Sequence, residues 1–189
     1  MIIIKDKKDS IAKIKQMGLN HFPQDVFDVK DLEAIKEFFE KYPAEEYILR
    51  HTDKTNGKFY FVSGYEEAQK HFEDFESEIT IAVSMNPYKE DIVLLGDISV
   101  KRDGASEIVD ITARDDEEAT HRNVYEQPKY NLHTSLEDDR LWKLPGFSKL
   151  MRYISDNELY NVILEFVVYA CKVGVNKDNV VIIEVRTGY

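Results

Sequence analysis

Two carboxylates interrupt the most apolar part of the chain, residues 161–189. Glu165 and Glu184 each lie in a run of apolar, mostly β-branched residues, and Arg186 follows Glu184 two positions later. A charge buried in a strand costs several kcal/mol unless it is paired or bound to a metal ion, so each glutamate needs a neutralising partner. A metal ion that holds an anionic ligand would satisfy both glutamates, with Arg186 contacting phosphate. A buried ion pair between Glu184 and Arg186, which share one face of their strand, is the structural alternative.

The segment between these two runs decides how the glutamates meet. Residues 176–179 carry turn-forming side chains, so the two runs are expected to pair as antiparallel strands. A tight symmetric turn would place Glu165 and Glu184 diagonally at best, not directly opposite one another.

A second pair of carboxylates is predicted from a hairpin around Asp103-Gly104. If these two residues form the turn, Asp97 lies directly opposite Asp110. Like charges repel in that position, and a divalent cation such as Mg²⁺, which prefers oxygen ligands, would explain the arrangement. Alternatively, a bulge or a longer turn moves the two aspartates apart, or both point into water.

A third candidate group is basic. Arg50 follows the apolar run 47–49, and Lys58 follows Asn56-Gly57, a strong signal for a hairpin turn. A cation on a strand beside a hairpin tip can contact the phosphates of a nucleotide. Lys58 alone is a weak signal because a lysine at a turn is usually solvated, so Arg50 is the better candidate.

Residues 113–145 differ from the rest of the chain because they contain few periodic apolar positions. They carry the acidic run 115–118 together with His121, Arg122 and His133. A long irregular segment in a compact domain is usually functional, mobile or both. These histidines and carboxylates could bind a metal ion in a hydrolase, but no spacing matches a zinc motif such as H-E-x-x-H. Surface histidines in an irregular segment are the alternative interpretation.

Composition limits the classes of protein. A length of 189 residues suits one domain with a full core. The formal net charge of -11 disfavours non-specific binding to nucleic acid or to an anionic membrane, so we expect neither partner. Cys171 is the one cysteine, which excludes a disulfide framework and a thiolate zinc site and indicates a reducing, cytoplasmic setting. The N-terminus has no apolar stretch long enough to suggest a signal peptide or a membrane span.

Hydrophobic periodicity predicts an α+β fold with mostly antiparallel sheets and helices packed on them. The order is helix, helix, two strands, helix, three strands, irregular segment, helix and two strands. We expect one domain over residues 1–189, with a helical N-terminal part over 1–44 and the irregular segment over 113–145.

From about Glu45 onward, this order resembles the nucleotide-binding half of an ATP-grasp domain. In that superfamily a strand with a basic residue runs into a mobile hairpin, and a terminal pair of strands carries the acids that bind magnesium. Arg50 matches the basic residue, Lys58 the hairpin tip, and Glu165 and Glu184 the two acids. The resemblance implies that Mg²⁺ and ATP are ligands and that a carboxylate is activated as an acyl phosphate before an amine or thiol attacks.

The sequence departs from the family pattern at two places. The closing strand of the family ends in Glu-x-Asn, and here Arg186 replaces the asparagine. An arginine cannot ligate a metal ion, so Arg186 is expected to act on phosphate. The hairpin tip is also poor in glycine. A nucleotide-binding protein, in the form of a minimal ligase, therefore stands beside a second interpretation, a small acidic interaction or inhibitor protein whose Glu–Arg pairs are structural.

Overall fold

The computed structural model describes residues 4–52, 58–104, 106–115, 121–174, 176 and 178–187. Within these ranges the chain forms two antiparallel sheets and a set of short helices. No helix of the described residues is both long enough and apolar enough to cross a membrane.

The strands account for most of the regular structure. They are β1 Gln24–Asp28, β2 Tyr47–Arg50, β3 Phe59–Val62, β4 Glu78–Val83, β5 Ile92–Asp103, β6 Ser106–Arg114, β7 Tyr130–Ser135, β8 Val162–Tyr169 and β9 Val180–Thr187. The first sheet has the order β1-β4-β2-β3, and the second has the order β7-β6-β5-β8-β9. Every neighbouring pair in both sheets is antiparallel, which confirms the predicted α+β class.

The helices are short and lie against the sheets. They are α1 Lys7–Gln16, α2 Leu32–Lys41, α3 Tyr65–Ala68, α4 His121–Glu126, α5 Asp139–Trp142 and α6 Phe147–Asp156. Two 3₁₀ segments, Gln69–Asp74 and Asn86–Asp91, follow α3 and β4. The side chain of Asp6 caps α1 by accepting a hydrogen bond from the backbone N–H of Asp9, so the helix begins at Lys7.

Two apolar clusters hold the elements together. The first lies on one face of the second sheet, where Ile98, Leu164 and other strand residues pack against Leu150 and Ile154 of α6. The second joins the first sheet and α2 to one end of the second sheet, through residues such as Leu49 and Val167. The second sheet therefore contributes to both clusters, and the cleft between the sheets lies beside the second cluster.

The structure corrects two predicted segments. Residues 1–44 are not wholly helical, since β1 pairs with β4 between α1 and α2. Residues 113–145 are not wholly irregular, since they contain α4, β7 and α5. β1 and β7 both lie at a sheet edge. β1 has polar residues at three of its five positions and lacks the alternation that reveals a half-buried strand, whereas β7 alternates partly buried and exposed residues over only six positions.

The structure shows the strand pairing of both predicted hairpins, but the turn of neither as predicted. β2 and β3 pair antiparallel as predicted, but Asn56-Gly57 lies outside the described residues. β5 and β6 also form the predicted hairpin, although Asp103 pairs with Ser106, so the turn starts at Gly104 and not at Asp103. The predicted pairing of Asp97 with Asp110 is therefore wrong. Asp97 lies opposite Thr112, and Asp110 lies opposite Ser99.

Gly96 of β5 lies where β5 and β6 approach one another closely. A Cβ atom at this position would lie 2.6 Å from the Cβ atom of Ala113 and would also contact the backbone oxygen of Thr112. Gly96→Ala should therefore force the backbone to move and lower the free energy of unfolding by about 2 kcal/mol. Urea denaturation measures this loss.

Gly64→Ala is the matched control. A Cβ atom there meets no atom within 4 Å, and the φ angle of 170° is extended backbone. Alanine is a poorer N-cap residue than glycine, so the loss should be about 0.5 kcal/mol, well below that of Gly96→Ala. Equal losses in the two variants would contradict the close approach at Gly96.

Candidate functional site

A cleft of about 180 Å³ lies between the two sheets. Its walls are mainly apolar and come from both sheets and the segment before β1: Phe22, Ile48, Phe61, Met85, Ile182 and Ile183. Polar groups stand at its two ends, with Arg50 and Glu165 at one and Ser84 and Asn86 at the other. The register separates the ends, because Tyr47 pairs with Val83 whereas Arg50 pairs with Thr80. The cleft thus has an apolar middle and a charged end.

Arg50 reaches the cleft because β2 alternates. Tyr47 and Leu49 point into the core, so Ile48 and Arg50 point to the other face of the sheet. Burial lowers the pKa of Arg50, while the charges of Glu165 and Glu184 act to raise it. Its Nε atom is buried and has no hydrogen-bond acceptor among the described residues, and the same is true of the Oγ1 hydroxyl of Thr80 on the neighbouring strand. The predicted cation of the strand therefore lies in the cleft with a donor to spare.

Three carboxylates form a row across the second sheet. Asp97 of β5 lies directly opposite Glu165 of β8, and Glu165 lies directly opposite Glu184 of β9. The prediction that the glutamates are diagonal is wrong. β8 ends at Tyr169 and β9 begins at Val180, so the two strands are not joined by a tight turn over 176–179, and Ile183 of β9 is an extra residue that the pairing skips. Neither the length of the connection nor the bulge follows from a count of turn residues. Hereafter we call Asp97, Glu165 and Glu184 the acid row.

Lys7 neutralises one end of the acid row. Its Nζ atom lies 2.7 Å from Oε2 of Glu184, and both side chains are mostly buried, with 12% and 16% exposed. Burial lowers the pKa of Lys7, as does the charge of Arg50, while Glu184 and Glu165 act to raise it. Lys7 occupies this place because α1 packs against β9.

Arg186 neutralises the other end of the acid row, at Asp97. Its Nη2 atom donates to Oδ2 of Asp97 and to the Tyr125 hydroxyl, the latter at 2.9 Å, and lies 3.8 Å from Oε2 of Glu165. The Tyr125 hydroxyl in turn donates to Asp97. Burial acts to lower the pKa of Arg186, but the Tyr125 hydrogen bond and the charges of Asp97 and Glu165 outweigh it and raise the pKa. Burial and the bond to Asp97 raise the pKa of Tyr125 to about 12, so the phenol stays protonated.

Asp110 belongs to a separate group from Asp97, although both lie on the same face. It accepts hydrogen bonds from the ring of His133, and Nζ of Lys101 lies 3.0 Å away. Burial acts to raise the pKa of Asp110, but the contacts with His133 and Lys101 lower it overall. The alternative in which the two aspartates lie apart is the one that the structure shows.

The remaining predicted residues lie outside the cleft or outside the description. Lys58 is exposed at the start of β3 and does not line the cleft. His121 and Arg122 begin α4, and their side chains are not described. His133 lies on β7 with most of its side chain exposed. Within the described ranges, no group of three or more His, Cys, Asp or Glu side chains is arranged to hold a metal ion.

Two residues of the site were missed from the sequence. A sequence signal for Lys7 does exist, because Asp6 and Asp9 are spaced as a helix cap, which predicts a helix that begins at Lys7. The sequence contains no comparable signal for Tyr125, because α4 is short and the residues around it show no hydrophobic periodicity. Both reach the acid row through contacts between elements distant in sequence.

The donors of the site fit an anion better than a divalent metal ion. The acid row carries three negative charges, and Lys7, Arg50 and Arg186 supply three positive ones. Glu184 and Asp97 already accept from Lys7 and Arg186. An arginine has no lone pair to offer a metal ion, whereas its N–H groups suit phosphate oxygens.

The sequence matches no protein-family model and no curated protein, but the fold is similar to solved structures. D-alanyl-alanine synthetase A from Vibrio cholerae is 11% identical, with a TM-score of 0.54 over 95% of this chain and 53% of that chain. N5-carboxyaminoimidazole synthetase from Staphylococcus aureus in complex with ADP is 12% identical, with a TM-score of 0.54 over 99% and 46%. The ADP complex of an N5-carboxyaminoimidazole ribonucleotide synthetase is 13% identical, with a TM-score of 0.57 over 95% and 44%.

The chain spans about half the length of these structures. The similarity covers at least 95% of this chain, so it includes α1, β1 and α2 as well as the part that follows Glu45. The sequence-based resemblance was therefore drawn too short at its N-terminal end.

The buried ion pair of Lys7 and Glu184 should be worth more than a surface pair. Lys7→Met leaves Glu184 without its nearest cation in a poorly solvated place, so we expect the free energy of unfolding to fall by about 2 kcal/mol. The double variant Lys7→Met, Glu184→Gln should recover part of this loss, because no unpaired charge then remains. Chemical denaturation of four proteins, the wild type, Lys7→Met, Glu184→Gln and the double variant, gives the coupling energy.

Lys8→Met is the control on the same helix. Lys8 pairs with Glu78, but both side chains are well exposed, with 55% and 36% of their area accessible. Exposed pairs contribute little to stability, so the unfolding midpoint should stay near that of the wild type. If Lys7→Met and Lys8→Met behave alike, Lys7 is not an essential partner of the acid row.

Proposed function

We propose that this chain, which has an ATP-grasp-like fold, binds a nucleoside triphosphate in the cleft between its two sheets. The observation that carries the proposal is Arg50, whose buried Nε atom has no acceptor among the described residues and whose side chain lines the cleft. A buried donor without an acceptor is costly, and a phosphate oxygen would satisfy it. Thr80, also buried without a partner, would provide a hydroxyl at the same end.

The shape of the cleft supports a nucleotide over a simple anion. Apolar side chains such as Ile48, Phe61 and Ile182 line the middle, where a flat base can lie. Ile48 and Arg50 are two residues apart on one strand, or about 7 Å, so a group that starts among the apolar side chains can reach the guanidinium. A ligand with an apolar ring and an anionic tail fits both parts.

For an anion to bind, positive side chains near the cleft have to offset the negative charge of the whole molecule. The formal net charge of -11 repels an anion at long range. Arg50, Lys7 and Arg186 offset the three negative charges of the acid row, so the site is close to neutral. The charge of Arg50 lowers the pKa of Lys7, while Glu165 and Glu184 act to raise the pKa of Arg50. We propose that Arg50 and Arg186 contact the phosphates, with Lys58 approaching from the hairpin.

A second candidate function is that of an acidic interaction protein without catalysis. The observation in its favour is the set of internal ion pairs, since Glu184 is bonded to Lys7 and Asp97 is bonded to Arg186. In that case the charges of the cleft are structural, and ATP has no effect on stability. Carboxylate activation, which the resemblance implies, stays a prediction that release of phosphate from ATP would test.

Arg50→Lys is the sharpest test of the nucleotide site because it keeps the positive charge and removes the Nε donor. Titration with ATP should stabilise the wild type, by about 2.7 kcal/mol at about a hundredfold excess over the Kd. Arg50→Lys should weaken ATP binding about tenfold, since a lysine cannot reproduce the fork of a guanidinium. Calorimetric titration at two salt concentrations measures the affinity, which should fall as salt rises.

Arg152→Lys provides the matched control, because Arg152 is exposed on α6 and does not line the cleft. Its affinity for ATP should equal that of the wild type. If ATP does not bind to the wild type, or if both arginine variants lose the same affinity, the cleft is not the site and the interaction protein becomes the better account.

A further inference from the structure

The cations of the site stand where a metal ion would have to bind. Nζ of Lys7 contacts Glu184, and Nη2 of Arg186 contacts Asp97 and lies 3.8 Å from Glu165. Each carboxylate of the acid row therefore has a positively charged side chain at or near it. The two glutamates face one another across β8 and β9, and a metal ion was one of the two sequence-based interpretations of this pair.

A divalent cation at the acid row would have to lie beside these side chains or displace them. Mg²⁺ requires nearly octahedral oxygen ligands at short distances, and an ammonium or guanidinium group on a carboxylate repels the ion and takes up lone pairs that it needs. The displaced Lys7 and Arg186 would lose their partners, and both are held in place by other contacts. Lys7 is fixed by α1 on β9, and Arg186 donates to the Tyr125 hydroxyl.

Arg186 is the residue that decides between a metal ion and a side-chain cation. It lies on the same face as Glu184, two residues further along β9, and is half-buried against Asp97 and Tyr125. An amide side chain at this position would offer a neutral oxygen to a metal ion, whereas the guanidinium carries a fixed positive charge and offers only donors. The guanidinium of Arg186 thus provides the site with a positive charge that belongs to the chain.

We propose that this cleft binds its anionic ligand without a divalent cation, with Lys7 and Arg186 supplying the positive charge on the acid row. The proposal rests on the proposed function for the identity of the ligand, a nucleoside triphosphate, but not for the absence of the metal ion. It has a consequence for activity. Enzymes that transfer phosphoryl groups use metal ions to bridge the phosphates and to offset the developing charge, so this chain binds the nucleotide without turning it over.

The test uses Mn²⁺ as the metal probe, because its electron paramagnetic resonance signal distinguishes free from bound ions. Without nucleotide, the wild type should show no Mn²⁺ binding that depends on the acid row, so Glu165→Gln and Glu184→Gln should leave the signal unchanged. Arg186→Asn should bind Mn²⁺ at least about tenfold more tightly than the wild type. The added substitution Glu165→Gln should abolish that gain.

A second arm measures ATP binding to the wild type by calorimetry in EDTA and in excess MgCl₂. The two affinities should agree within about twofold. An affinity that falls about tenfold or more in EDTA would overturn the proposal, and so would Mn²⁺ binding to the wild type that Glu165→Gln or Glu184→Gln removes. The Glu variants and the wild type decide the matter even if Arg186→Asn does not fold.

The two arms separate this proposal from the proposed function. If ATP binds in neither EDTA nor MgCl₂, the nucleotide proposal fails, while the Mn²⁺ arm still decides whether the acid row holds a metal ion. If ATP binds in MgCl₂ and is lost in EDTA, the nucleotide proposal stands and the metal-free site is refuted.

Discussion

Three carboxylates lie side by side on β5, β8 and β9, and the molecule has to neutralise them in a place that water reaches poorly. This requirement accounts for the position of several other elements. α1 packs on β9 and brings Lys7 to Glu184, while α4 packs over β5 and β6 and brings Tyr125 to the bond between Asp97 and Arg186. α1 and α4 thus supply partners for the charges of the sheet, in addition to the apolar contacts that hold the elements together.

The same charges determine the polarity of the cleft. The first sheet contributes Arg50 and the second contributes Glu165, so one end of a mainly apolar cleft is charged, whereas Ser84 and Asn86 make the other end polar and neutral. Opposite charges cancel within the site, yet the Nε atoms of Arg50 and Arg186 keep donors without an acceptor among the described residues. A balanced set of charges with a spare donor can accept an anion without a large rearrangement, because it supplies a preorganised electrostatic environment.

The sequence was sufficient for the fold class and for part of the site. Alternating apolar residues predicted β2, β3 and the terminal strands, and a charge inside such a run identified Arg50, Glu165 and Glu184, because a buried charge is conspicuous in a strand pattern. Register was harder to predict. One residue of difference in the turn after Asp103 separated Asp97 from Asp110, and a shift after Glu165 aligned it with Glu184. Lys7 and Tyr125 could not be assigned, since their roles depend on tertiary contacts across 177 and 28 positions.

The most direct measurement of the central claim is the ¹H–¹⁵N resonance of the Arg50 side-chain Nε–H group, identified by its absence from Arg50→Lys. If the spare donor of Arg50 binds phosphate, this resonance should move on addition of ATP in EDTA and should follow the same saturation curve as the heat of binding. A resonance that stays in place at saturating ATP, while other signals move, would show that the nucleotide binds elsewhere and would contradict the account.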